Sequence, residues 1–85
     1  MKTVYKYPID VTDPTVVLPE GYKILMAAHQ ATQGDFIWAL VDREAPTKRK
    51  EFIVVGTGFP IPPGITYLTS WQSSPFVWHL FEKQP

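Results

Sequence analysis

Few side chains in this sequence could do covalent chemistry. The serines are Ser70, Ser73 and Ser74, and the only imidazole bases are His29 and His79. None of the serines lies in the strained Gly-x-Ser-x-Gly turn that presents a nucleophile. A triad can be drawn on paper from any of them with a histidine and an aspartate, so such a drawing carries no information. No catalytic residue is expected, and the chain is read as a binding protein rather than an enzyme. Cysteine is absent, which excludes a thiolate nucleophile, a thiolate metal site and a disulfide scaffold together. The two histidines and eight acidic residues show no ligand spacing such as His-Glu-x-x-His, so no metal is expected. His79, within Val77-Trp78-His79-Leu80, reads as a strand residue bonded through one ring nitrogen.

Three other features could bind a ligand without reacting with it. Gly56-Thr57-Gly58 follows an apolar run, Phe52 to Val55. Glycines at a strand end let a backbone approach a phosphate or base closely. A dinucleotide fingerprint would need a third glycine and a helix, but Phe59-Pro60 follows, so the motif reads first as a bulge or corner turn. Arg43, Lys48, Arg49 and Lys50 could contact an anion, although Asp42, Glu44 and Glu51 beside them make a solvated loop the simpler expectation. Trp38, Trp71 and Trp78 are strand residues, with Phe36, Tyr67 and Phe76 nearby on the same face. Trp38, between Ile37 and Ala39, is expected in the core. Trp71 or Trp78 is expected to be partly exposed, where a purine could stack on it.

These residues need elements to hold them. Nine prolines in 85 residues argue against long helices, because proline lacks the amide donor and clashes inside a helix. The period-2 signal is much stronger than any 3.6 period. Val, Ile and Thr, which favour pleated surfaces, make up 22 of the residues. The pattern predicts six or seven strands: Thr3 to Ile9, Thr15 to Leu18, Tyr22 to Ala31, Phe36 to Val41, Glu51 to Thr57, Ile65 to Gln72 and Phe76 to Phe81. Pro8 places the first at an edge or ends it there. Phe36 to Val41, apolar on both faces, reads as a central strand. Asp42 to Glu51 is read as a charged loop, Phe59 to Gly64 as a rigid polyproline crossing, Ser73-Ser74-Pro75 as a turn, and Glu82 to Pro85 as a frayed tail. Lys23 to His29 has good helix formers and is the one stretch where a short helix competes. The expected fold is all-β, a small antiparallel sandwich or barrel in one domain, residues 1–85.

Composition narrows the partners. Eight basic residues balance eight acidic ones, so bulk nucleic acid would find no net attraction. No apolar run approaches the roughly 20 residues of a spanning helix, and the opening residues lack the apolar core of a signal peptide. A chain this short without disulfides hides a small fraction of its surface, yet it carries three Trp, four Tyr and five Phe. A homo-oligomer would cover the excess.

Trp38-Ala39-Leu40-Val41-Asp42, Gly56-Thr57-Gly58-Phe59-Pro60-Ile61-Pro62 and Phe76-Val77-Trp78-His79-Leu80-Phe81-Glu82 form a pattern together. With Tyr5-Lys6-Tyr7-Pro8 and Leu18-Pro19-Glu20-Gly21, they resemble a family of small proteins encoded mainly by tailed bacteriophages and prophages. The resemblance spans nearly the whole chain and implies a viral protein made in the host bacterial cytoplasm. It implies no catalytic residue and no cofactor. By analogy with other small phage proteins, the expected function is an anti-defence sponge that sequesters a nucleotide-derived immune signal. The alternatives are a protein-binding inhibitor of a host defence enzyme, or a virion or assembly component. The candidate ligand-binding residues are Arg43, Gly56, Thr57, Gly58, Trp71, Trp78 and His79.

Overall fold

Alternating residues become strands because successive side chains leave a strand on opposite faces. The computed structural model, which describes residues 1–83, has eight of them. They are β1 (Lys2–Pro8), β2 (Thr15–Pro19), β3 (Lys23–Gln30), β4 (Gly34–Asp42), β5 (Thr47–Glu51), β6 (Ile53–Gly56), β7 (Ile65–Ser73) and β8 (Phe76–Lys83). All ladders are antiparallel. One sheet has the order β1-β4-β3. In the other, β2 pairs with β5 and the order continues β6-β8-β7. Only Phe52 separates β5 from β6, and its amide still donates to the Pro14 carbonyl on the β2 side, 2.8 Å away. Counted as one bent strand, β5 and β6 give seven strands in two sheets of three and four. This is a β-sandwich. β3 and β7 run close together, but no ladder joins the sheets among the described residues, so the barrel is not closed.

The core lies between the sheets. Ile37, Ala39 and Val41 of β4 face it, with Leu18 of β2 and Leu80 of β8 fully enclosed. Two side-chain bonds also span the layers. The Trp71 indole N–H donates to Asp35 Oδ1 at 3.1 Å, and the Tyr22 hydroxyl donates to Glu82 Oε2 at 2.9 Å. Burial, and then the Glu82 bond, push the Tyr22 phenol well above the ordinary tyrosine range. The β1–β2 connection is held by Asp10, whose carboxylate accepts from the Thr12 hydroxyl and amide. Those bonds hold its carboxyl below the usual range.

Several expectations are met. Pro8 ends an edge strand, β4 is central, and Lys23 to Gln30 is a strand rather than a helix. Three are corrected. The loop expected over Asp42 to Glu51 is shorter, because Thr47–Glu51 is β5, with Lys48, Arg49 and Lys50 opposite Leu18, Val17 and Val16. A strand at the margin of a sandwich can carry charge on its wet side, and Lys50 reaches Glu82 at 3.9 Å. Trp38 is only half-buried, since the core takes the odd residues of β4. Glu82 and Lys83 extend β8 instead of fraying; the tail expected over Gln84 and Pro85 lies outside the described residues.

Candidate functional site

The β7–β8 hairpin turns at Ser74-Pro75, with Ser73 opposite Phe76. Counting back from that turn places Gln72 opposite Val77, Trp71 opposite Trp78 and Ser70 opposite His79. Directly opposed side chains share a face, so Ser70 and His79 meet on the outer face while Trp71 and Trp78 turn inward. A bulge between Tyr67 and Thr69 then restores Tyr67 to the outer face, opposite Phe81. β6 adds Val55 opposite His79. Beyond β6 the chain turns at Gly56-Thr57-Gly58, where Gly58 has φ +94°, a conformation that side-chain-bearing residues rarely adopt. The Thr57 amide donates to the Val77 carbonyl at 3.1 Å and hangs the corner on β8.

The result is a hydrogen-bonded relay of three hydroxyls and one imidazole. Tyr67 Oη lies 2.8 Å from Ser70 Oγ, and Ser70 Oγ lies 2.7 Å from His79 Nδ1. His79 Nε2 lies 2.8 Å from Thr57 Oγ1. Both ring nitrogens are therefore engaged, where the sequence suggested one. A hydroxyl can give or take a hydrogen bond, so the relay is satisfied in either tautomer of the ring. Among the described residues the ring is held by the Ser70 and Thr57 hydroxyls and by no carboxylate, unlike the acid-assisted triads of hydrolases.

The relay borders a depression of about 400 Å³. Val55, His79 and Phe81 come from the outer sheet face, and Tyr67, the run Gly56–Phe59 and Ile61 complete the lining. Tyr67 stands edge-on to Phe81 with ring centroids 5.7 Å apart. Val55 and Phe81 are buried although they point away from the main core. No Asp, Glu, Lys or Arg lines this depression among the described residues. Its chemistry is that of an apolar, aromatic hollow with hydroxyl and imidazole hydrogen-bonding groups at one side. A flat, largely uncharged group suits it, since a bare charge would lose hydration without gaining a counter-charge.

The structure gathers some of the candidate residues and separates others. Gly56, Thr57, Gly58 and His79 meet in the depression. Trp78 lines an adjoining hollow of about 490 Å³ that shares Gly56, Thr57 and Phe59. Its ring stacks on Phe76 at 5.1 Å and lies so close to Gly56 that a Cβ there would sit 3.2 Å from it. Trp71 offers no stacking face. It is 4% exposed and committed through its indole nitrogen to Asp35, because the hairpin register turns it inward and the bulge parts it from Tyr67. Arg43 lies in the turn after β4, where its amide donates to the Met1 carbonyl, and it lines neither hollow. Lys48, Arg49 and Lys50 flank a different hollow beside Leu18 and Tyr22. His29 pairs with Asp35 at 3.0 Å, away from His79. Among the described residues no His, Asp and Glu cluster could hold a metal ion.

Sequence reasoning passed over Ser70, Tyr67, Phe59, Ile61 and Phe81 as site residues. The Ser70–His79 pair had a usable signal, since a tight Ser74-Pro75 turn alone sets that register. The approach of Thr57 to His79 had none, because it depends on how the corner after β6 folds back toward β8. No curated protein and no solved structure matches the chain. Over residues 1–85 it matches the family model described as a domain of unknown function, DUF7352, and the chain belongs to that family.

Proposed function

We propose that the protein is a non-enzymatic binding module that holds the flat part of a small ligand in the depression beside His79. In the setting that the phage resemblance implies, the ligand is the base end of a nucleotide-derived bacterial immune signal, and the protein is a sponge in the host cytoplasm. The observation that supports this reading is the Tyr67–Ser70–His79–Thr57 relay at the margin of an apolar, aromatic hollow. Such a relay can match a donor or an acceptor on a base edge by reorienting its hydroxyls. The depression offers phosphates no charged partner, so they would stay at its open, hydrated side, with no assistance from Arg43.

The test is native mass spectrometry of the protein purified from bacteria with an active nucleotide-signalling defence. The wild type should carry a nucleotide-sized ligand. Thr57→Ala should weaken retention about tenfold, the effect of losing one good hydrogen bond, and Arg43→Ala should leave it unchanged. Equal loss in both variants, or none in either, contradicts the site.

A second reading, an inhibitor that covers a host defence protein, is favoured by the Phe59–Pro63 segment. Every residue in it is proline or precedes proline, so its backbone has little freedom. It presents Phe59 at 70% and Ile61 at 58% exposure, as pre-ordered anchors would be. A wild type that removes no nucleotide from solution, yet blocks the defence while bound to a host protein, would establish this reading over the first.

A further inference from the structure

Every polar side chain that lines the depression beside His79 belongs to one chain of hydrogen bonds. Among the described residues these are Tyr67, Thr57 and His79, and Ser70 joins Tyr67 to the ring. With the imidazole neutral, the three hydroxyls and the ring carry four polar hydrogens, and the three links at 2.8, 2.7 and 2.8 Å each use one. One hydrogen is left over. It does not belong to the ring, since both nitrogens are already linked. Ser70 is part-buried and has no third partner among the described residues, so the hydrogen falls to one end of the chain, the Tyr67 or the Thr57 hydroxyl. Its one protein acceptor there is the Val77 carbonyl, 3.4 Å from Thr57 Oγ1. That contact is long, and the carbonyl already accepts the Thr57 amide at 3.1 Å, so a better acceptor displaces it at little cost.

We propose that this proton count sets the chemical class of the ligand: a flat heteroaromatic edge with one hydrogen-bond acceptor beside one donor. The inference rests on the reading of the depression as a base site. When the leftover hydrogen points out from Thr57, the donors run from Tyr67 to Ser70 to Nδ1, and from Nε2 to Thr57. The Tyr67 oxygen then remains as an acceptor. When the hydrogen points out from Tyr67, every link reverses, the ring proton sits on Nδ1, and the Thr57 oxygen is the acceptor. The two ends therefore meet one acceptor and one donor of a ligand, in either order, and never two acceptors. The amidine edge of adenine, a ring nitrogen beside an amino group, fits this rule, as does the lactam edge of hypoxanthine or guanine. A carboxylate or phosphate, an acceptor on every side, meets one side-chain hydrogen and no cation among the described residues. The Thr57 and Phe59 amides bring no further donor, because they are committed to the Val77 and Gly56 carbonyls.

Titration of the full chain with adenosine and with purine riboside, followed on the nitrogen-15 shifts of the His79 ring, tests the count. The two nucleosides differ only in the 6-amino group, which is the donor. The wild type should bind adenosine about tenfold more tightly, the effect of one further hydrogen bond. Tyr67→Phe and Thr57→Val each remove one end of the chain. In both, adenosine should fall to the affinity of purine riboside, which needs one end only and should change by less than about twofold. Tyr67 is 57% exposed and its ring still meets Phe81 in the phenylalanine variant; Thr57→Val stands as the test if that variant misfolds. A wild type that binds both nucleosides alike, or a variant in which adenosine keeps its lead, overturns the count and leaves the base site standing. Ring nitrogens that shift with neither nucleoside remove the base site and the count with it.

Discussion

The relay around His79 should show its structure in a graded loss of stability. Thr57→Val removes a hydroxyl while keeping the β-branched shape. The Thr57 amide keeps its bond to Val77, so the corner is retained. The lost contacts are one bond of 2.8 Å to His79 Nε2 and a marginal one of 3.4 Å to the Val77 carbonyl. The freed ring nitrogen borders an open depression and can take water in place of the hydroxyl. The expected cost is therefore the net value of one exposed hydrogen bond, about 0.5–1 kcal/mol. For a domain of this length that lowers the melting temperature by about 2–8 °C. Ser70→Ala is different. Ser70 Oγ is part-buried and bonded on both sides, to His79 Nδ1 at 2.7 Å and to Tyr67 Oη at 2.8 Å. Its loss leaves the imidazole with no partner on the sheet side and should cost about 1.5–3 kcal/mol. The double variant should cost less than the sum by at least about 0.5 kcal/mol, because residues in one network couple. Urea unfolding of the four proteins closes this cycle, and nitrogen-15 shifts of the His79 ring follow its tautomer in each. Thr57→Val costing more than Ser70→Ala, or strictly additive losses, would refute the relay as described.

Three further outcomes follow from other parts of the fold. Gly58→Ala has open space for its methyl, but φ is +94°; backbone strain alone should cost about 1–2 kcal/mol, visible as a lower denaturation midpoint with an unchanged slope. Leu80→Ala, at 0% exposure in the middle of the core, should cost about 2–5 kcal/mol, and a loss below 1 kcal/mol in thermal unfolding would mean the core is misassigned. The raised phenol of Tyr22 stabilises the folded chain fully below about pH 10, where the unfolded tyrosine titrates. That contribution fades as pH rises through the higher folded value, so the lead of wild type over Tyr22→Phe should be constant near neutrality and shrink above pH 10.

The strands were legible in the sequence because period 2 is a local property. Each of the seven predicted segments overlaps a strand of the structure, and the prolines already excluded long helices. Alternation says less where both faces are apolar. Phe36-Ile37-Trp38-Ala39-Leu40-Val41 reads the same whichever set faces inward, and only packing against the second sheet sends Ile37, Ala39 and Val41 in and Trp38 out. The same ambiguity misplaced Trp71. Its polar neighbours suggested exposure, while the hairpin register and Asp35, a residue 36 positions away, hold it inside. Charge misled in the opposite direction at Thr47–Glu51, since a strand's ladder to β2 needs only backbone groups and leaves lysine and arginine tips in water. The site divides along the same line. Ser70 and His79 meet by a rule that acts within one hairpin, whereas Thr57 reaches His79 only because β6 lies beside β8 and its corner folds back toward Val77. Local patterning determined which residues could pair; long-range closure of the sandwich decided which of them share a face, because side-chain direction along a strand is relative until a second layer fixes which side is the core.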